Sequence, residues 1–322
     1  MLPEDFPRTL IEFNERFGTE EACRAYLVRR RWPEGFRCPA CGGKRGWPNR
    51  RHAIECAHCG RQTSVTAGTI LEGTRKPLRL WFQAMWWVST QKTGGSAKGL
   101  QRLLGLPSYQ TAWVWLQKLR RAMVRPGRTS LAGTVEVDDT FLGGAEAGVA
   151  GRASETKVRL VVAVEVDGRQ IGRARLRQVP DFSAESLVPF VEASVEPGST
   201  VRTDGWQGYA SLAAKGYRHR VKVIGQDRTR AARLLPSVHR VIALLKRWLL
   251  GTHHGRVELQ HLQAYLEEFA FRFNRRKSRH VGKIFFRLVE HSAQTRPAPY
   301  RQLVGHARAK KHKRLRSHDR SG

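Results

Sequence analysis

The hydrophobic and polar positions of the first 124 residues follow two different patterns. Residues 1–35 have apolar side chains every three or four positions, as in "DFPRTLIEFNERF", which predicts one or two short helices. Residues 36–75 show no helical period and are rich in Cys, Gly and Arg, which predicts a small β unit. The helical period returns in residues 76–124.

From residue 131 the pattern changes to strands. Three strands are predicted first, in "TVEVDDTFLGG", "KVRLVVAVEV" and "GRQIGRARLRQV", with Gly168 in the turn between the last two. A helix, a strand, a second helix and a short strand follow in "SAESLVPFVEASV", "STVRTDG", "WQGYASLAAKG" and "RHRVKVI". Further helices are predicted at about 237–250 and 259–275. Strands followed by this alternation favour a mixed α/β domain with one central sheet.

Four of the five cysteines form two CxxC pairs within the β unit. Cys38 pairs with Cys41 in "CPACGG", and Cys56 pairs with Cys59 in "CAHCGR". Two such turns bring four thiolates within reach of one ion, and Zn²⁺ binds four sulfur ligands tetrahedrally. A glycine after each pair permits the positive φ that the turn requires. The spacing therefore predicts a closed structural zinc site, and Cys23 is predicted to be a core residue.

The stretch "SAKGLQRLLGLPSYQTAWVWLQKLRRAM" predicts two helices separated by "GLPS". Ser108 is placed to cap the second helix. Tyr109, Gln110 and Lys118 would then face a DNA groove. An ordinary pair of packed helices has the same pattern, but the neighbouring zinc unit and the basic charge favour a helix-turn-helix.

The charge of the chain indicates a polyanionic partner. The 322 residues include 58 Lys and Arg against 27 Asp and Glu, a formal net charge of +31. Such a surplus favours nucleic acid, because neutralising phosphates releases counterions. Arg50 and Arg51 lie beside the cysteine pairs, and we expect them to contact DNA. The basic tail of residues 296–322 would add affinity for phosphates.

The apolar stretches do not suggest a membrane protein. The start "MLPEDFPRTL" has Pro and acids where a signal peptide would be basic and then apolar. The most apolar run, "LRLWFQAMWWV", is too short to span a bilayer. Paired cysteines suit a metal in a reducing compartment. We therefore expect a cytoplasmic, nucleoid-associated protein with no membrane partner.

Acidic residues cluster at two predicted strands of this basic chain. In "VEVDDT", strand alternation places Glu136 and Asp138 on one face and Asp139 on the other. In "VRTDGW", Asp204 ends a later strand. Carboxylates from one sheet can converge on divalent cations such as Mg²⁺, which in pairs activate a water or a 3′-hydroxyl toward a phosphodiester. The alternative is that these acids open a loop and cap a helix.

Several motifs together give the chain a specific resemblance, namely "CPACGG", "CAHCGRQTSVTAGTIL", "VEVDDTFLGG", "VRTDGWQGYASL", "LKRWLLGTHHG" and "HLQAYLEEFAFRFNRR". Over nearly its whole length the chain resembles bacterial insertion-sequence transposases of the family numbered fifteen-ninety-five. The resemblance implies a zinc ribbon and a helical DNA-binding region, joined to a ribonuclease-H-like DDE domain that cuts and joins DNA ends with two metal ions. It also implies that Asp138 and Asp204 match the first two catalytic acids and that Asp139 has a secondary role at most.

The third metal ligand is where this sequence departs from its relatives. Relatives with Glu at this place carry it seven residues before a Lys, as in E-S-F-W-S-L-L-K-R, and aligned on "ALLKR" these positions are His239 and Lys246. At about 100° per residue both lie on one flank of a helix, beside an apolar stripe. A neutral imidazole can bind a divalent cation, Mn²⁺ better than Mg²⁺, or it can instead position a water or contact the scissile phosphate. Lys246 would hold the DNA backbone.

Other side chains compete for the third position. Relatives with Asn offer no match, because the only Asn after Asp204 is Asn274, on the next helix. Asp227 in a predicted loop and Glu267 and Glu268 in "YLEEFAFRFNRR" are alternative ligands. The same motif supplies three arginines predicted to contact the DNA backbone or to stabilise the fold, Arg272, Arg275 and Arg276.

The sequence as a whole predicts a multidomain α+β protein. Its segments are N-terminal helices (1–35), a zinc ribbon (36–75), a helix-turn-helix-like region (76–124), a ribonuclease-H-like mixed α/β catalytic domain (131–295) and a basic tail (296–322). The predicted function is a DNA transposase that binds terminal inverted repeats and joins them to target DNA as a homo-oligomer. It would use structural Zn²⁺ and catalytic Mg²⁺ or Mn²⁺. Two alternatives stay open, a catalytically inactive DNA-binding regulator and a structure-selective nuclease.

Overall fold

The structure, a computed structural model, describes six stretches of the chain, residues 4–91, 93–125, 127–143, 157–222, 234–253 and 258–304. Two units follow from the packing of the backbone, one from residues 1–126 with 278–322 and the other from residues 127–277. Within the described ranges, none of the helices has the length and apolarity needed to cross a bilayer.

The N-terminal region has the predicted helices around a small β unit. Its elements are α1 (Leu10–Arg16), α2 (Glu20–Arg31), β1 (Gly46–Pro48), β2 (Ile54–Cys56), β3 (Gln62–Thr63), α3 (Leu78–Thr90), α4 (Ala97–Leu104) and α5 (Tyr109–Ala122). The three strands form an antiparallel sheet in the order β1-β2-β3. Ser108 caps α5 by accepting the N–H of Thr111, as its position predicts.

The second unit is built on one mixed five-stranded sheet. Its elements are β4 (Thr134–Leu142), β5 (Val158–Asp167), β6 (Gln170–Val179), α6 (Ala184–Ser194), β7 (Thr200–Thr203), β8 (Arg218–Val221), α7 (Pro236–His253) and α8 (Leu259–Phe273). The strand order is β6-β5-β4-β7-β8; β5 is antiparallel to β4 and β6, whereas β7 and β8 run parallel to β4. The helix predicted in "WQGYASLAAKG" is a short 3-10 helix at Gln207–Leu212. This confirms the prediction of a mixed α/β fold.

Each face of the sheet packs against its own layer of helices. Val135 and Val137 of β4 belong to a core that includes α6 and the 3-10 helix. Alternation sends Glu136 and Asp138 to the opposite face, where α7 and α8 close a second core. The predicted apolar stripe of α7 is buried in that core and consists of Val238, Val241, Ile242, Leu245 and Leu249.

Helix α8 also covers the outer edge of β6. Asn274, at its C-terminal end, accepts the N–H of Ala174 (2.7 Å) and donates to the carbonyl of the same residue (3.1 Å). Gln263 accepts the N–H of Gln178 (3.0 Å) and donates to the carbonyl of Leu176 (3.2 Å). An edge strand otherwise offers its backbone groups to other chains. These two amides therefore terminate the sheet on this side.

After the second unit the chain returns to the first. The returning helices are α9 (Val281–Gln294) and α10 (Tyr300–Val304). Helix α9 buries Phe285 and Phe286 and packs against α2, α3 and α5. The predicted extent of the catalytic domain, residues 131–295, stays a prediction, although α9 packs with the N-terminal helices. Periodicity shows that one face of a helix is buried but not which unit covers it.

Candidate metal centres

The four paired cysteines converge in the β unit. The Sγ atoms of Cys38 and Cys59 are 3.6 Å apart, as are those of Cys41 and Cys56. All four sulfurs lie within 4.8 Å of one another. Sulfurs bound tetrahedrally at about 2.3 Å from Zn²⁺ are about 3.8 Å apart. The spacing thus fits one zinc ion with four thiolate ligands.

The backbone of each cysteine turn favours metal binding. Gly42 and Gly60, which follow the two pairs, have φ values of 73° and 69°, a region that glycine adopts without a Cβ clash. Backbone N–H groups of its own turn lower the pKa of Cys38 to about 6. The same cause lowers the pKa of Cys56. Because the thiolate is the form that binds metal, both turns prepare sulfurs for the ion.

A second cluster of ligand atoms lies on the sheet of the second unit. Carboxylate oxygens of Asp138 and Asp139 in β4 and of Asp204 after β7 lie within 4.8 Å of one another. Asp138 is buried, and the other two are partly exposed. Strand alternation alone had separated Asp139 from this group. The ladder between β4 and β7 ends at Glu136, so beyond it this side of β4 is open to side chains from either face.

Asp204 stands in the turn that follows β7. One of its carboxylate oxygens accepts the N–H of Trp206 (3.0 Å), a local bond typical of Asp in turns. The loop-opening interpretation of this residue accounts for that bond. It does not account for the approach of the carboxylate to those of β4.

Helix α7 brings His239 beside the carboxylates. Its Nε2 lies 3.6 Å from Oδ2 of Asp138 and is buried without a hydrogen-bond partner among the residues described. Burial lowers the pKa of His239; the charge of Asp204 opposes this effect, and that of Lys246 adds to it. The neutral ring, which can bind a cation, is therefore favoured. A buried nitrogen that faces a carboxylate without a bond fits the requirements of a metal ligand.

Lys246 lies two turns further along the same flank of α7. Partial burial lowers the pKa of Lys246, and the nearby charge of Asp138 opposes this effect. The side chain reaches the surface. Its ammonium is thus placed between the cluster and any phosphate that approaches it.

The buried carboxylate of Glu136 links the strand and the helix of this cluster. Its Oε2 accepts the N–H groups of Ser237 (2.8 Å) and Val238 (3.0 Å). These belong to the first turn of α7, where N–H groups have no partner inside the helix. The bonds fix His239, the next residue, relative to Asp138, two residues after Glu136. The sequence placed Glu136 on the face of Asp138, which was the only signal of its importance.

The competing third ligands are engaged elsewhere. Glu267 forms an ion pair with Arg128 (2.8 Å), and Glu268 forms one with Arg272 (3.0 Å). Neither glutamate belongs to the carboxylate cluster. Asp227 lies outside the residues that the structure describes.

The candidate DNA contacts of the first unit differ in exposure. Arg50 and Arg51 are exposed in the turn between β1 and β2. Tyr109 is 54% exposed at the start of α5. Gln110 is exposed as well, but its side chain donates to the hydroxyl of Tyr300 in α10. The turn of the ribbon is therefore the most accessible of the predicted contacts.

Four other candidates make contacts within their own units, Lys118, Arg272, Arg275 and Arg276. Burial lowers the pKa of Lys118, which is partly buried in the first unit. The guanidinium of Arg275 lies 3.9 Å from the ring centroid of Phe271. Arg276 donates to the carbonyl of Gly172 (3.1 Å). These contacts stabilise the fold, and a role of the four residues in DNA binding stays a prediction.

Comparison with known proteins covers both clusters. Residues 18–62 match the transposase zinc-ribbon domain, and residues 130–274 match the ISXO2-like transposase domain, a DDE domain. A protein of Halobacterium salinarum, described as an uncharacterized protein in transposable element ISH50, is 28% identical over 294 residues, which are 83% of this chain and 94% of that protein. The matched domains together span more than half of the chain and contain all ligands of both clusters. The chain therefore belongs to the IS1595 family of insertion-sequence transposases.

Proposed function

We propose that the chain is an active DNA transposase whose second unit cuts and joins DNA strands at the carboxylate cluster. The observation that carries this proposal is the position of His239. Its buried Nε2 faces Asp138 at 3.6 Å, beside carboxylates from two strands. An imidazole thus stands where relatives of the chain carry an acid.

The ligand set suits Mg²⁺ or Mn²⁺. Carboxylate oxygens bind either ion, and the imidazole of His239 favours Mn²⁺. Bound divalent cations would activate the attacking water or 3′-hydroxyl and stabilise the leaving oxygen. The chain supplies the positioning, since Glu136 holds α7 against β4. Lys246 would hold a phosphate of the scissile strand as a point charge.

We also propose a ribonuclease-H-like fold for this unit. The support is the strand arrangement, in which β4 lies at the centre with antiparallel neighbours on one side and parallel neighbours on the other. The carboxyl ends of β4 and β7 therefore meet at one edge of the sheet. Acids at that edge can converge on ions although Asp138 and Asp204 are far apart in sequence.

The first unit would bind the terminal inverted repeats of the element. Its support is the exposed turn with Arg50 and Arg51, held by the zinc-binding unit, and the α4–α5 pair as a helix-turn-helix. We expect two or more chains to act together on paired ends. Arg50→Ala/Arg51→Ala should abolish specific end binding and leave the thermal unfolding midpoint unchanged. Unchanged binding by this variant would exclude the ribbon as the reader of the repeats.

Cleavage of DNA that carries the ends of the element tests the catalytic proposal. In Asp138→Asn and Asp204→Asn, metal-dependent cleavage should fall by about a thousandfold or more, because ion-stabilised charge contributes several kcal/mol to the transition state. Asp167→Asn is the matched control, since Asp167 is exposed in the turn between β5 and β6. Undiminished cleavage in both cluster variants would overturn the proposal.

The same assay separates the alternative functions. End binding without cleavage by the unaltered chain, in either Mg²⁺ or Mn²⁺, would identify an inactive regulator. Cleavage of branched DNA in preference to inverted-repeat ends would identify a structure-selective nuclease.

A further inference from the structure

A column of basic side chains lies on the sheet beside the carboxylate cluster. Arg202 of β7 is paired in register with Glu136 of β4 on one side and with Arg220 of β8 on the other. Paired residues point to the same face, as do residues two apart in one strand. Arg218, Arg220 and Arg202 therefore share the face that carries Glu136 and Asp138.

These side chains are accessible and have few partners. Arg218 and Arg220 are exposed, and neither makes a side-chain hydrogen bond or ion pair with the part of the chain that the structure describes. The Nε of Arg202 is buried without a hydrogen-bond partner there. Lys222 is also exposed and extends the ladder, because its N–H donates to the carbonyl of Thr203 (2.8 Å). Edge strand β8 thus differs from edge strand β6, which helix α8 covers.

The column ends at the cluster. Thr203 is paired with Val221, so the next residues of the two strands, Asp204 and Lys222, lie about one strand spacing apart, roughly 4.8 Å. From Arg218 to Lys222 the column spans about 13 Å at roughly 3.3 Å per residue. That length corresponds to about four phosphates at 3.4 Å each along one DNA strand.

We propose that Arg202, Arg218, Arg220 and Lys222 form the path along which the DNA backbone reaches the carboxylate cluster. The inference rests on the proposed function and extends it to a substrate-binding surface. The occupant is DNA because the four side chains have the charge that phosphates require, stand in line, and lead to the site of strand cleavage. Side chains without partners in the protein can bind phosphates without breaking existing contacts.

A basic edge strand has a second physical explanation. Charged side chains on an edge prevent it from pairing with other chains. In that case the loss of Arg218 and Arg220 would promote self-association and leave the affinity for DNA unchanged. The two explanations therefore predict different results for the same variant.

The test measures binding of the full chain to duplex DNA carrying the element's end and its flank, without divalent cation, over a series of salt concentrations. For R218A/R220A the slope of log K against log salt should become shallower by about 1.4 to 1.8, the value for two lost phosphate contacts. R218K/R220K should keep most of the slope, because lysine contacts a phosphate as a point charge. The control R169A/K215A removes the same charge from two exposed turns of the unit and should leave the slope unchanged.

A second readout addresses the cleavage reaction. In R218A/R220A the KM for end cleavage should rise while kcat changes little, and backbone protection next to the cleavage site should be lost in a chemical footprint. An unchanged slope, or equal slopes in R218A/R220A and R169A/K215A, would overturn the path, and so would larger oligomers with unchanged DNA affinity. Because binding is measured without divalent cation, this result is independent of whether Asp138 and Asp204 support cleavage. R218Q/R220Q, with longer side chains, replaces the alanine variant if its unfolding midpoint drops.

Discussion

The cysteine cluster and the carboxylate cluster gather their ligand atoms in opposite ways. All four cysteines come from residues 38–59, where two copies of one turn hold them. The carboxylate cluster takes Asp138 from the central strand, Asp204 from the end of β7 and His239 from helix α7. The first site is made by local sequence, whereas the second exists only when sheet and helix are packed together.

The difference shows what each site needs from its ion. Strands β1, β2 and β3 are two or three residues long, and so small a sheet depends on its metal for stability. In the second unit, two hydrophobic cores and the bonds of Glu136 position the ligands. Metal should therefore be a structural requirement in the first site and a requirement for the reaction alone in the second.

The largest effect is expected from removal of zinc. Structural zinc contributes about 10 to 16 kcal/mol of apparent binding free energy in small zinc domains, so a strong chelator or Cys38→Ser should unfold the ribbon. Amide hydrogen exchange would then show lost protection in residues 38–63 and retained protection in β4, β5 and β6. Specific end binding should disappear with the ribbon.

Zinc content provides the control for this prediction. Cys23→Ala should retain one zinc per chain, because Cys23 is buried among the N-terminal helices and is not part of the cluster. Asp138→Asn should give the reverse pattern, with full protection from exchange and no cleavage. Lost protection in β4 upon chelation would contradict the distinction between the two sites.

The next effect tests the imidazole as a ligand. His239→Ala should slow end cleavage by about a hundredfold or more, since removal of even an outer-shell partner costs about 10- to 100-fold. His239→Glu should restore cleavage and shift the preferred ion from Mn²⁺ toward Mg²⁺, because a carboxylate is the harder ligand. Initial rates in each ion measure both effects.

Arg240→Ala is the neighbouring control on the exposed side of α7, with no expected change in metal preference. Equal rates for His239→Ala and the unaltered chain in both ions would mean that the aspartates suffice. Asp139, which the structure brings within 4.8 Å of the other two, would then be the third ligand to test.

His239 also shows how far the sequence determines this site. The flank of a helix depends on local geometry alone, so the spacing of His239 and Lys246 and the apolar stripe beside them were predictable. The bonds from Glu136 to the start of α7 join residues about a hundred positions apart. No local pattern specifies that register.

Asp139 and helix α9 mark the same limit. Strand alternation describes a strand with neighbours on both sides, but β4 continues past the end of its ladder with β7, where Asp139 can turn toward the cluster. The apolar face of α9 is evident in the sequence, yet its partners are helices α2, α3 and α5 of the distant N-terminal region. In both cases the outcome depends on packing between segments that lie far apart along the chain.

A smaller effect is expected at the link between strand and helix. Glu136→Ala removes a charged acceptor from two buried N–H groups, which should destabilise the start of α7 by about 1 to 3 kcal/mol. Glu136→Gln keeps one carbonyl acceptor and should cost less. Hydrogen exchange at the amides of Ser237 and Val238 measures the loss directly, and cleavage should slow as His239 moves.

The matched control is Glu185→Ala, which removes an exposed acid from the first turn of α6 and should leave exchange in α7 unchanged. Unaltered exchange at Ser237 and Val238 in Glu136→Ala would refute the link. The carboxylate cluster would then be held by the hydrophobic core alone.

The smallest effect concerns Arg276 and separates a structural from a DNA-binding role in the "FNRR" motif. Arg276 donates to the carbonyl of Gly172 (3.1 Å) and lies 3.8 Å from the ring centroid of Phe273. Arg276→Ala should therefore lower the free energy of unfolding of this unit by about 1 kcal/mol and leave the salt dependence of DNA binding unchanged. Arg276→Lys should restore little, because an ammonium does not reproduce the planar contact.

A slope shallower by about 1 in Arg276→Ala would instead assign this arginine to a phosphate. Arg220→Ala is the matched comparison, because Arg220 and Arg276 have the same charge and lie at opposite edges of one sheet. The edge arginine that bonds to backbone carbonyls should change stability without changing the slope. The edge arginine that is exposed should change the slope without changing stability, since its side chain has no bond to lose in the described part of the unit.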